Sequence, residues 1–148
     1  MTQENSKQLL LKDLTARLSY GVKIELTWWV MGEGIGINTT LGPECIEELL
    51  NDEDGDTEIK PYLRPMSSMT EEEFTNLKEY SGLKYDRLDL ASFQNGTYKC
   101  LDFYLSEVPS AVVIKVFDWL NRYHFDYRNL IPMDLAIAVT KENNPYKE

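Results

Sequence analysis

The 148-residue chain is 43% hydrophobic, 27% charged and 11% aromatic, enough apolar material to bury a core as one globular domain over residues 1–148. Its formal net charge of −10 repels phosphate backbones and argues against general nucleic-acid binding. Its two cysteines, Cys45 and Cys100, form no CxxC pattern, and no stretch approaches the ~18 apolar residues of a membrane span, so a reducing, cytoplasmic setting is expected.

In chain order, SKQLLLKDLTARLSYG reads as a first helix, capped by Asn5 or Ser6, with Leu11, Leu14 and Leu18 at helical spacing and Gly21 as its stop. VKIELTWWVM alternates Val22, Ile24, Leu26 and Trp28 against Lys23, Glu25 and Thr27, the pattern of a half-buried strand. The run Gly32–Gly34 supplies a turn, and IGINTTL returns as its antiparallel partner. GPECIEELLNDEDGDTE reads either as a short helix opened by Pro43 or as a strand with a turn at Asp54 and Gly55. Its eight acidic residues from Glu44 to Glu58 do not make an EF-hand, because Gly55 falls fourth from Asp52 instead of sixth.

IKPYLRPMSSMTEEEF then joins a basic, proline-rich strand to a helix start. Ser68 with Glu71, or Thr70 with Glu73, has capping-box spacing for a helix that ends near Gly82. YDRLDLASF, the turn Asn95–Gly96 and TYKCLDFYL read as a second hairpin. SAVVIKVFDWLNRY is an amphipathic helix with Val112, Val113, Val116, Phe117 and Leu120 facing the core. A turn at Pro132 and a short strand over Leu135–Val139 complete the chain, whose polar ends are expected to fray. The sum is an α+β domain, about three helices on an antiparallel sheet.

Candidate binding residues lie in three places. Lys60, Tyr62 and Arg64 share one face of an extended strand, with Arg64 close to a helix N-terminus, a combination able to hold an anion. The bland alternative is that Glu71, Glu72 and Glu73 already occupy the helix's positive end and that Lys60 and Arg64 neutralise neighbouring acids, the two prolines confining the strand to a sheet edge or to a non-ladder extension. Of Trp28 and Trp29, alternation turns one ring inward and one outward, toward a ligand or a protein. His124, the one histidine, has Asp118, Asp126, Arg122 and Arg128 nearby. A general-base role for it lacks a nucleophile, and a helix C-terminus rich in Arg and His is also what dipole stabilisation alone produces; Arg128 is counted among the candidate ligand residues. One histidine and two separated cysteines make a zinc site improbable, and no cofactor motif is present. The acidic residues Asp52, Glu53, Asp54 and Asp56 either solubilise the chain or meet a basic partner.

The blocks LLLKDLTARLSYGVK, IKPYLRPMSSMTEEE and DWLNRYHFDYRNLIPMDLAI resemble segments of a family of small uncharacterised proteins encoded by bacteriophages and mobile elements of gut bacteria. Ser19 stands where that family often has proline, and the tail VTKENNPYKE departs from its pattern. The resemblance implies a setting in the cytoplasm of a bacterial host and no particular functional residue. It points first to an accessory protein that blocks a host defence component by contact. A sponge for a small anionic nucleotide is the second expectation, and a hydrolase using His124 the third.

Overall fold

A computed structural model describes residues 3–52, 55–84, 89–95 and 109–146. The class is α+β, as the sequence indicates, with five α-helices among the described residues instead of about three. Contacts divide the chain into two units, Met1–Leu63 with Arg128–Glu148, and Arg64–Tyr127.

In the first unit, helix α1 (Gln3–Arg17) runs into a 3-10 turn at Leu18–Tyr20 and stops at Gly21, whose φ of +69° suits a residue without Cβ. The helix starts before Asn5 and Ser6, so neither caps it. Its buried face holds Leu10 and Leu14 together with Asp13 and Arg17, while Leu11 and Leu18 are only half-buried. Strand β1 (Lys23–Val30) buries Ile24 and Leu26, with Val22 just before it, and half-buries Trp28, as alternation requires. It pairs antiparallel with β2 (Glu33–Thr40). The turn between them is Met31–Gly32 and not Gly32–Gly34: both have positive φ, +52° and +84°, the backbone of a tight two-residue hairpin.

The ambiguous acidic segment is a helix, α2 (Pro43–Asn51). Proline sits in its first turn, where no N–H is needed, and Cys45 and Leu49, four apart, enter the core. Strand β3 (Thr57–Leu63) follows, and a two-residue strand β4 (Ile137–Ala138) completes the sheet in the order β2-β1-β3-β4. β3 is therefore not an edge strand, and of the two prolines only Pro65 lies in an extension outside the ladders. Thr57 to Pro61 pair with β1, and Tyr62 and Leu63 pair in parallel with β4. The missing N–H of Pro61 falls where one ladder ends and the other begins.

The C-terminal tail is held as far as it is described. The Tyr146 phenol accepts from the Lys23 N–H at 2.9 Å and donates to the Tyr62 carbonyl at 2.7 Å, bridging β1 and β3 beyond their last ladder pair. Burial pushes its pKa well above the ordinary value, so the proton it donates stays in place. Tyr146→Phe is expected to cost about 1–2 kcal/mol, because one main-chain donor and one acceptor lose this partner. A urea titration measures the loss, and an unchanged midpoint would mean that the tail does not secure the sheet.

In the second unit, Thr70 and Glu73 form the capping box of α3 (Glu71–Ser81), and Gly82 ends it with φ +77°. Ser68 lies instead in a 3-10 turn, Met66–Ser68. Where the first strand of a second hairpin is expected, Leu90–Asn95 form helix α4. The Asp89 carboxylate accepts from both the N–H and the hydroxyl of Ser92 at 2.9 Å, fixing the first turn. The second strand of that hairpin, and Cys100, lie outside the described residues. Helix α5 (Ser110–Arg122) buries Val116 and Leu120 as expected, with Val112, Val113 and Phe117 packed against the same core. That core also takes in Phe74, Leu77, Phe93, Trp119 and Phe125. No helix among the described residues is long and apolar enough to cross a membrane.

Candidate functional site

Lys60 and Tyr62 do share a face of β3, but each is engaged inside the first unit. The Lys60 ammonium donates to Asp134 at 3.0 Å and lies 3.3 Å from Glu58. Burial alone would lower its pKa; the bonds to Asp134 and Glu58 outweigh this and hold it above the ordinary value. Tyr62 is buried and donates to the Asn38 side chain at 3.1 Å. Burial and the Glu25 carboxylate raise its pKa, against the Asn38 bond. Arg64 opens the second unit. Its guanidinium donates to both carboxylate oxygens of Glu73 and to the Ser68 carbonyl, and lies 4.3 Å above the Phe125 ring.

Arg128 donates to Asp13 at 2.9 Å, the carboxylate that also takes the Arg17 Nε–H at 2.9 Å. An anion would have to compete with carboxylates at Lys60, Arg64 and Arg128 alike. His124 is half-buried with φ +66°, and its carbonyl accepts the Arg64 N–H at 2.7 Å. Asp118 accepts from the Tyr80 hydroxyl and lies 3.7 Å from Arg122.

The acidic candidates also separate. The Asp52 carboxylate accepts from the Asp56 and Thr57 N–H groups at 3.1 Å, so it shapes the loop into β3. Asp56 is exposed, and Glu53 and Asp54 lie outside the described residues. The carboxylates presented to solvent in a row are Glu44, Glu47 and Glu48 of α2, three and four residues apart.

These glutamates border the most apolar surface of the unit, the β1–β2 hairpin. Trp29, Val30, Met31, Ile35 and Ile37 are five of the nine exposed large hydrophobic side chains among the described residues. Trp29 faces outward with its indole against Gly34, where an added Cβ would come within 3.0 Å of the ring. Ile35 and Ile37 lie opposite Trp28 and Leu26, so they point to the inner face of the sheet. They are nonetheless 54% and 45% exposed, while Leu26 is 5% exposed. Among the described residues, the cover over that face stops between β1 and β2. Trp28 lines a pocket with Glu44, Glu47, Glu48 and Asn51, so apolar floor and acidic wall adjoin.

One sequence signal for this surface escapes motif reading. From Ile24 to Ile59 there are ten acidic residues and no Lys, Arg or His. Those ten account for the whole net charge of −10, since the other fifteen of the 25 acidic residues balance the 15 Lys and Arg. The segment from β1 through α2 into β3 is the acidic part of an otherwise neutral chain. No family model, curated protein or solved structure matches the sequence.

Proposed function

We propose that this is a non-enzymatic binding protein of the phage accessory kind, which engages a host defence protein by contact in the bacterial cytoplasm. The β1–β2 hairpin is the contact surface. The observation that carries this reading is the gathering of exposed apolar side chains, Met31 99% exposed at its tip, on one hairpin beside a row of carboxylates. Scattered apolar residues need no explanation on a soluble surface, but exposed Ile35 and Ile37 on the same face as Trp28, which itself lies against three carboxylates, have the composition of an interface.

Affinity purification of the tagged protein from a bacterial host, wild type beside Ile35→Lys/Ile37→Lys, tests the reading. One host protein is expected to accompany the wild type and to be lost from the variant, with circular dichroism showing both folded. The same partner retained by the folded variant would refute the hairpin as the surface. A retained small molecule in native mass spectra, with no protein partner, would favour the anionic-ligand reading.

A further inference from the structure

Resting on that reading and going one step beyond it, we propose that the partner contributes a cationic amphipathic helix, which lies on the uncovered inner face of β2 beside α2. The apolar side chains decide which face is used. On the outer face β2 offers Gly34, Gly36 and Asn38, with Trp29 covering Gly34. On the inner face it offers Ile35 and Ile37, continuous with Trp28 of β1. A strand added to the edge of β2 would send alternate side chains to both faces and leave much of Ile35 and Ile37 in water. A helix laid on the inner face covers both and continues the layer that α1 and α2 form over Ile24, Leu26 and Ile59.

Charge identifies the chemistry of that helix. Its neighbour would be α2, whose Glu44, Glu47 and Glu48 repeat at helical spacing, so Lys or Arg at the same spacing would meet them. The same charge disfavours a second copy of this chain, because pairing the inner faces of two copies would bring together two α2 helices, each presenting Glu44, Glu47 and Glu48.

The probe is an N-acetylated Leu/Lys peptide of about 18 residues with its leucines at helical spacing, long enough to form a helix when docked. A Leu/Glu peptide of the same pattern and a strictly alternating Leu/Lys peptide serve as controls. Isothermal calorimetry and amide-shift mapping on the full chain should show binding of the helical Leu/Lys peptide alone, with shifts centred on Trp28, Ile35, Ile37 and Glu44–Glu48. Affinity should fall about tenfold or more in Glu44→Gln/Glu47→Gln/Glu48→Gln and in Ile35→Ser/Ile37→Ser, and should weaken as salt rises. If the serine variant does not fold, the glutamine variant decides, since its three positions are exposed on α2.

Equal affinity for wild type and the glutamine variant, or no binding, would overturn the proposal. Tighter binding of the alternating peptide would replace the helix by an added strand. A concentration-dependent dimer in sedimentation, dissolved by Ile35→Ser, would replace it by a second copy. A host partner lost on hairpin substitution, together with no peptide binding, would leave protein contact standing and remove only the helix.

Discussion

Asp13→Ala is expected to destabilise the first unit by ~3–5 kcal/mol, the usual cost of removing one member of a buried ion pair. The Asp13 and Arg17 side chains are fully buried and form an i,i+4 pair at 2.9 Å, while Arg128, 18% exposed, reaches the other Asp13 oxygen at 2.9 Å. One carboxylate therefore faces two guanidinium groups, and deleting it leaves their charge in a desolvated place. The neutral Asp13→Asn keeps the shape and should fall between wild type and Ala. Asp13→Leu combined with Arg17→Met should recover part of the loss, because an apolar pair removes the desolvation cost along with the attraction. Equilibrium urea denaturation of the four proteins measures this series. A cost below about 1 kcal/mol for Asp13→Ala would mean that water reaches the pair.

This triad marks where sequence reading stops. Leu11, Leu14 and Leu18 have the right spacing for the inner stripe of α1, yet its buried face holds Leu10 and Leu14 with Asp13 and Arg17. Periodicity counts apolar residues and passes over the i,i+4 pair Asp13–Arg17, and no local pattern anticipates that Arg128, 115 positions away, meets the same carboxylate. Alternation read β1 well, including the outward Trp29, because only local geometry decides it. Proline chemistry described β3 only in part. Two prolines argue for an edge strand or a non-ladder extension, and Pro65 does lie outside the ladders, but the change of partner from β1 to β4 at Pro61 is a tertiary fact with no local signature. Helix α4 had a readable signal in Asp89 and Ser92, an N-cap and its third residue, masked by the stronger turn signal of Asn95–Gly96.

The candidate surface was half legible. Trp28, Trp29 and the acidic segment were candidates on sequence, whereas Ile35 and Ile37 entered only as part of the returning strand IGINTTL. Their exposure depends on how far across the sheet α1 and α2 extend, which no residue of β2 encodes. For Lys60 and Arg64 the bland alternative describes the structure: Lys60 meets Glu58, two positions away, as well as Asp134, and Arg64 meets Glu73, nine positions away. Arg128 looks available in a sequence, but the carboxylate it faces lies 115 positions away.

Arg64 supplies the second large effect. Arg64→Ala should cost ~1.5–3 kcal/mol, the range for charge-assisted hydrogen bonds, and should do so through the second unit and not through a lost ligand. The guanidinium ties Glu73 at the start of α3 to the Ser68 carbonyl and covers Phe125, so one substitution loosens three segments. The cost should also depend on pH. Burial pushes the Glu73 carboxyl up, but the Arg64 hydrogen bond and the Thr70 N–H outweigh it and hold the group below its ordinary 4.5. A carboxyl depressed in the folded state contributes stability that is present above its unfolded pKa and lost as pH falls through the folded one. Wild type and Arg64→Ala should therefore differ most near neutral pH and converge as pH falls below 4.5 and Glu73 takes up its proton in the folded state. Denaturant titrations at neutral and at acid pH check this. A difference that stays constant between them would assign the cost to packing on Phe125 and leave the Arg64–Glu73 pair without weight.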